Sequence, residues 1–197
     1  MPRKLERWQT EVKKEIKEDF DHYKKLGDRE LVIVGCNTMD LALVELIEKR
    51  LIQHPKELES FLGLNEDGRA PAGSFGARIQ LALLLGLIYP AEADALRALK
   101  KIRNRFAHRY NVTLGEQANN SALNELRQWL TQMSERWDGQ FLDLRERLRR
   151  QIAPTSKNAE RNTIHYSFVI FNALFGNKLK AVTGLTQITT PDDTDFE

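Results

Sequence analysis

The stretch that decides the fold is residues 96–110, which read Leu96-Arg97-Ala98-Leu99-Lys100-Lys101-Ile102-Arg103-Asn104-Arg105-Phe106-Ala107-His108-Arg109-Tyr110. Its apolar side chains recur at three- and four-residue steps, which predicts an amphipathic helix with one core face. The residues expected on that core face are Leu96, Leu99, Ile102 and Phe106. At about 100° per residue, Arg103 lies at the edge of the apolar stripe.

The opposite face of this helix is polar and cationic. Asn104 and His108 are four residues apart and stack on that face, with Arg97 and Lys101 beside them. A histidine in the last turn has an ordinary structural explanation, because the helix dipole and the terminal carbonyls favour cations there. The pattern alone leaves open whether His108 caps the helix or belongs to a functional site.

Arg103, followed after four intervening residues by His108, resembles the Arg-x-x-x-x-His motif of HEPN domains, which are all-helical and many of which cut RNA. With Tyr110 included, the pattern is similar to the Arg-x-x-x-x-His-x-Tyr form of HEPN toxins that are paired with minimal nucleotidyltransferase antitoxins. The resemblance implies a catalytic site made of Arg103, Asn104 and His108. It also implies that the partner enzyme adenylylates Tyr110, whereas the structural alternative is a tyrosine ring packed on the core.

A broader resemblance, to the mannitol-repressor (MtlR) family, covers residues 29–109. The shared order is a long apolar helix, a glycine-containing loop, an Arg- and Leu-rich helix and a closing Ala-Leu-Arg helix. The first three correspond here to residues 30–51, 70–76 and 78–88. Some members of that family have a degenerate Arg/His motif, whereas this chain has it intact, which favours chemistry over a simple transfer of the repressor function.

The overall composition is that of a soluble globular protein. The 197 residues are 41% hydrophobic and 29% charged, and the net charge is only +2, so any nucleic-acid binding must come from local patches. The single cysteine, Cys36, excludes an internal disulfide and a multi-cysteine metal site, and its apolar neighbours predict a buried thiol. No metal-ligand spacing or cofactor-binding motif is present. The absence of a long apolar run or a signal peptide predicts a cytoplasmic protein that does not interact with membranes.

The rest of the chain also has helical periodicity, without strand-like alternation. We therefore predict an all-α helical bundle of HEPN/MtlR-like type, with two long antiparallel helices at its centre and extra N- and C-terminal helices. Residues 1–152 form the main domain and include a charged helix over 2–26. Residues 153–182 hold an aromatic-rich helix, packed on the domain or on a partner subunit, and 183–197 form a flexible tail. Asp28 is the predicted cap of the helix over 29–53 and Ser74 that of the helix that ends at 87, while Pro90 lies in the first turn of the motif helix. The other predicted helices span 55–62, 121–137, 141–152 and 161–180.

Two further polar groups have alternative explanations. Asn37 and Asp40 interrupt the apolar surface of the helix over 29–53, and they are either satisfied structurally or face the Arg103–His108 site. The arginines of the helix over 141–152, Arg145 and Arg149 among them, either contact phosphates or form a solvated face paired with neighbouring acids.

The chemistry that fits the motif is cleavage of RNA by attack of a 2′-hydroxyl on its own phosphate. Histidine serves as base or acid near neutral pH, and arginine binds phosphate oxygens through its planar fork, so the pair needs no metal. Asn104 hydrogen-bonds the phosphate, orients His108 or holds the backbone. The candidate RNA-binding residues are Arg97, Lys101, Arg105, Arg109, Arg145 and Arg149.

The resemblance to HEPN ribonucleases implies a homodimer whose shared cleft holds two copies each of Arg103 and His108. We therefore expect a metal-independent endoribonuclease of a toxin or defence system, without a cofactor, whose partners are RNA, a second copy of the chain and a nucleotidyltransferase antitoxin. The alternative is a non-catalytic transcriptional regulator of the mannitol-repressor type that acts through protein contacts. No helix-turn-helix layout is evident, so direct DNA reading is the weakest part of that alternative.

Overall fold

The computed structural model describes residues 18, 21–51, 54–64, 70–136 and 142–184. Within these residues the chain is an all-α bundle without strands, and residues 21–24 are helical ahead of the first complete helix. Most of the charged helix predicted over 2–26 and most of the predicted tail lie outside the described residues. The helices are α1 (Asp28–Arg50), α2 (Pro55–Leu62), α3 (Phe75–Leu84), α4 (Pro90–His108), a 3-10 turn (Gln117–Asn119), α5 (Asn120–Glu135), α6 (Leu142–Ile152) and α7 (Ala159–Ala181).

Helix α1 runs antiparallel to α4, as predicted. Arg29 near the start of α1 contacts the backbone just after α4, while Cys36, two turns later, contacts the carbonyl of Leu99. The predicted cap of α1 was wrong by one residue: the cap is Gly27, whose N–H donates to the Glu30 carboxylate at 3.0 Å. A carboxylate in the first turn thus reaches back to the cap, as in a capping box.

The C-terminal helix α7 lies at the centre of the bundle, where it packs against α1, α5 and α6. Nine consecutive residues, 163–171, are buried, and Phe171 stacks on Trp129 with ring centroids 4.2 Å apart. Its apolar surface is therefore covered within the chain. The long helices at the centre of the bundle are therefore α1, α4 and α7, whereas the sequence predicted only two.

Gly35 in α1 marks the closest approach of α7. A Cβ atom built on Gly35 would clash with the Phe168 ring, so this position accepts only glycine if the ring is to stay where it is. Glycine inside a helix costs about 0.5–1 kcal/mol relative to alanine. The tight packing of Phe168 across α1 offsets that cost.

Helix α3 begins and ends on local signals. The Ser74 hydroxyl accepts from the N–H of Ala77 at 3.2 Å, which confirms the predicted cap. The helix ends at Leu84, earlier than predicted, because Gly86 takes a left-handed conformation (φ 69°). The N–H of Leu87 then donates to the carbonyl of Ala82, in the pattern that glycine commonly gives at helix ends.

Helix α4, which carries the motif, begins at Pro90 as predicted, and its last helical residue is His108. The four residues predicted for its core face are all buried: Leu96, Leu99, Ile102 and Phe106. This face packs on α1, α3 and α5 and leaves the opposite side of α4 to solvent. No helix in the described part of the chain is both long and apolar enough to cross a membrane.

Candidate functional site

Arg103 lies on the α1 side of α4 and is partly buried. Its Nη1 donates to the Asn104 side-chain oxygen in a long hydrogen bond of 3.4 Å. Among the described residues it forms no ion pair with a carboxylate. A guanidinium that is held in place by an amide and not neutralised is suited to binding a phosphate.

The charge of Arg103 acts on Cys36 of α1, which places the guanidinium near that thiol. Burial raises the pKa of the Cys36 thiol from its ordinary value of 9.0 to about 12, the charge of Arg103 opposes that rise, and Asp40 adds to it. The thiol donates to the carbonyl of Leu99 at 3.7 Å. Cys36 is therefore a buried thiol, as predicted, and is unsuited to act as a nucleophile at neutral pH.

His108 is exposed at the end of α4, and its ring makes no hydrogen bond with any described residue. The carbonyls that follow the helix are instead satisfied by Arg29, whose guanidinium donates to Arg109 at 3.1 and 3.2 Å and to Tyr110 at 3.3 Å. The side chain that binds the backbone carbonyls at the C-terminal end of α4 is therefore Arg29 and not His108. The imidazole of His108 is left available to solvent and ligands.

Tyr110 is 91% exposed, so its ring does not pack on the core. The guanidinium of Arg29 donates to the backbone carbonyl of Tyr110, so the backbone is anchored here although the side chain is exposed. Sequence reasoning did not single out Arg29, because its contact joins residues 80 positions apart and no local pattern signals it.

The C-terminal two-thirds of α4 and the residue after it form a cationic surface. Residues 97–109 contain no acid, and they contain these six lysines and arginines: Arg97, Lys100, Lys101, Arg103, Arg105 and Arg109. Arg97 pairs with Asp94 at 2.8 Å and Lys101 with Glu125 at 3.3 Å. Among the described residues no carboxylate pairs with the remaining four. We call the polar side chains of this stretch, which are these six cations together with Asn104 and His108, the α4 cationic face.

Arg145 and Arg149 belong to a different helix, α6, which packs on α5 and α7. Arg149 pairs with Glu135 at 3.5 Å, which fits the solvated-face alternative, although the acid is not one of its neighbours in sequence. No hydrogen bond or ion pair within the described residues joins Arg149 to the α4 cationic face.

Asp40 is paired structurally through one oxygen, Oδ2, whereas its buried Oδ1 accepts no hydrogen bond from the described residues. Its carboxylate accepts from the buried Arg78 at 2.8 Å, and Arg78 also donates to the carbonyls of Ala72 at 3.0 Å and Leu62 at 2.7 Å. Arg78 therefore connects α1, through Asp40, to the segments that lie before and after residues 65–69, through Leu62 and Ala72. Asn37 is exposed, so the prediction of a buried amide there was wrong.

A groove lies between α4 and the start of α5, on the flank of α4 away from α1. Its volume is about 390 Å³, and its walls include Lys101, Ile102, Asn104, Arg105, Asn119 and Ser121. Asn119 is almost fully buried: its amide donates to Thr113 at 2.9 Å and accepts from Arg105 at 3.1 Å. The sequence predicted only a polar loop over 111–120, and no capping signal could have revealed this anchor, because the Asn119 side chain makes no capping hydrogen bond to the helix that follows it.

The described residues contain no cluster of three or more His, Cys, Asp or Glu side chains that could hold a metal ion. The chain matches no protein-family model, no curated protein and no solved structure. The resemblance to HEPN and mannitol-repressor proteins therefore stays a prediction that rests on the motif residues.

Proposed function

We propose that the protein is a metal-independent endoribonuclease of HEPN type that acts in a toxin or defence system. The observation that carries the proposal is that α4 bears both an ion-pair-free Arg103 and an exposed His108 without a hydrogen bond among the described residues, within a stretch, 97–109, whose own sequence contains no acid. Like charges four residues apart on a helix destabilise it by a few tenths of a kcal/mol per pair. An anionic ligand such as an RNA phosphate offsets that repulsion.

In the proposed reaction one histidine takes the proton of a ribose 2′-hydroxyl, and the 2′-oxygen attacks the adjacent phosphorus. The bond to the 5′-oxygen breaks, and a second histidine donates a proton to that leaving oxygen. Arg103 stabilises the charge that builds up on the phosphate oxygens. The products are a 2′,3′-cyclic phosphate and a 5′-hydroxyl.

Each chain supplies one motif histidine, so the mechanism requires a homodimer with the two α4 helices close to the two-fold axis. Exposed apolar side chains occur on α1 and α3, at Leu41 (67% exposed) and Leu84 (76% exposed), and contact with a second chain would remove them from water. Light scattering at micromolar concentration tests this, and a monomer would contradict it.

The test of activity is incubation of purified protein with mixed RNA in EDTA, followed by analysis of the new ends. Cyclic phosphate and 5′-hydroxyl ends are expected, and the His108→Ala variant should form them at least about 100-fold more slowly. His54→Ala is the matched control, because His54 is also exposed beside a helix end and has no motif around it.

The proposed regulation is adenylylation of Tyr110 by a nucleotidyltransferase partner. The hydroxyl of Tyr110 attacks the α-phosphate of ATP and pyrophosphate leaves, which puts a bulky anion beside the α4 cationic face. The 91% exposure of Tyr110 supports access by another enzyme. Intact-mass measurement after co-expression with a neighbouring nucleotidyltransferase should find AMP on Tyr110, and AMP elsewhere or none would remove the idea.

The alternative is a non-catalytic regulator of the mannitol-repressor type. It is compatible with the same exposed apolar side chains, which contact with a partner protein would remove from water. RNA cleavage that depends on His108 would exclude it, whereas a dimer without cleavage would support it.

A further inference from the structure

We infer that the groove between α4 and α5 holds the nucleotide that adjoins the scissile phosphate of a bound RNA strand. The inference rests on the proposed function and adds a second contact region to it. The groove volume of about 390 Å³ falls within the ~300–1,000 Å³ range of small-ligand pockets.

The charge of the groove favours one phosphate. Arg105 donates one of its five N–H groups to the neutral Asn119 amide at 3.1 Å, and no described carboxylate neutralises it. The second cation, Lys101, is already paired with Glu125, which also accepts from the Ser121 hydroxyl at 3.1 Å. The groove therefore presents one uncompensated guanidinium, which matches the single charge of a phosphodiester.

The remainder of the groove suits a nucleoside. Ala118, which is exposed, provides apolar wall, and the buried Ile102 and Ala122 lie beneath the surface. Ser121 and Asn104 provide polar groups for a ribose or a base edge. A bare inorganic anion would leave the apolar part of this volume unused. A nucleotide uses both parts.

Asn104 connects the groove to the candidate catalytic residues. Its side-chain oxygen accepts from Arg103, and the same side chain lines the groove. At about 100° per residue, Arg103 and Arg105 lie on either side of Asn104 around the helix. An RNA strand that crosses the exposed side of α4 at Asn104 can place one phosphate on Arg103 and the next nucleotide in the groove.

The test fills the groove without touching the motif. Ala118 is exposed and lines the groove, so Ala118→Trp blocks it, while Gln117→Trp on the same 3-10 turn adds the same ring outside it. Both changes are made in the His108→Ala background, so that the RNA stays intact. Binding of a fluorescein-labelled eight-nucleotide RNA is measured by anisotropy, with uridine 5′-monophosphate and inorganic phosphate as separate probes.

We expect Ala118→Trp to weaken RNA binding about tenfold, the effect of losing one charge-assisted contact, and Gln117→Trp to change it less than twofold. Equal affinities for both variants would overturn the inference, and cleavage by the parent would then still support the proposed function. Loss of affinity for uridine monophosphate alone would also overturn it, since the site would then take free nucleotides. Failure of the parent to bind or cleave RNA would remove the proposed function and this inference together.

If Ala118→Trp does not fold, crosslinking decides the question with the groove unaltered. An RNA containing 4-thiouridine is irradiated with the His108→Ala protein, and the modified peptide is mapped. Crosslinks within residues 101–105 or 118–122 support the inference, and crosslinks confined to other segments contradict it.

Discussion

Helices α4 and α7 are both long, at 19 and 23 residues, yet only α7 is buried around most of its circumference. Nine consecutive residues of α7 are buried, and its buried hydroxyls of Thr163 and Ser167 donate to carbonyls of the same helix at 2.7 and 2.8 Å. Helix α4 buries one face and leaves the other with cations that lack carboxylate partners among the described residues. The difference is that α7 serves the core, whereas the exposed face of α4 is the surface on which our proposed function depends.

The sharpest test of that difference is removal of the motif side chains. His108→Ala and Arg103→Ala should each lower the rate of RNA cleavage by about 100- to 10,000-fold, because each removes a group that acts on the transition state. Melting temperature and dimerisation should stay nearly unchanged, since His108 is exposed and Arg103 only borders the core. Initial rates and thermal melts of the parent, both variants and His54→Ala measure this.

If His108→Ala cleaves RNA like the parent, the nuclease activity belongs to a contaminant or to another site. If either variant fails to fold, the motif is structural and the exposed face of α4 is explained by packing after all. Both outcomes would erase the contrast between the two helices.

The core face of the same helix should respond in the opposite way. Phe106→Ala truncates a fully buried ring and should lower the free energy of unfolding by roughly 3–5 kcal/mol. Tyr110→Ala, which removes an exposed ring four residues later, should change it by less than ~0.5 kcal/mol. Urea denaturation of the two variants measures both values, and similar losses for the two would contradict the assigned orientation of α4.

A pair of glycines tests how tightly α7 packs. Gly35→Ala should destabilise the protein by about 1–3 kcal/mol, because the new methyl group meets the Phe168 ring. Gly176→Ala in α7 should instead stabilise it by about 0.5–1 kcal/mol, since nothing lies within 4 Å of the added atom. Denaturation curves should therefore shift in opposite directions, and a stabilising Gly35→Ala would show that α7 packs less closely on α1.

Features with local signals could be predicted from the sequence. The bounds of α2, the start of α4 at Pro90, the Ser74 cap and the buried stripe of α4 all follow from periodicity, proline position or capping chemistry. The end of α3 was misjudged although Gly86 gave the signal, because the apolar run continues through Ile88. Helical periodicity does not stop where a left-handed glycine ends the hydrogen bonding.

Features that depend on distant contacts could not be predicted. The anchoring of Arg109 and Tyr110 by Arg29, and the pairing of Asp40 with Arg78, join residues far apart in the chain. The central position of α7 also follows from its neighbours, because an aromatic-rich helix packs equally well within a chain or across a dimer. For the candidate site, the sequence predicted the exposed side of α4 but not the groove, which needs the loop over 111–120 folded back on Asn119.

Cys36, which lies where α1 contacts α4, allows a test that depends on pH. Burial raises its pKa from 9.0 to about 12, so above pH 9 the unfolded chain loses a proton that the folded protein keeps. The unfolded state is thereby favoured, and the free energy of unfolding should fall as the pH rises, by about 1 kcal/mol at pH 10. Other groups titrate in the same range, so the measured quantity is the difference between the parent and Cys36→Ala in urea denaturation at pH 8 and pH 10. The free energy of unfolding of the parent, relative to that of Cys36→Ala, should be lower at pH 10 than at pH 8 by the decrease given above. A difference that does not change with pH, or a native thiol that reacts with a disulfide reagent at pH 8 as fast as it does in urea, would show that Cys36 is open to solvent beside Arg103.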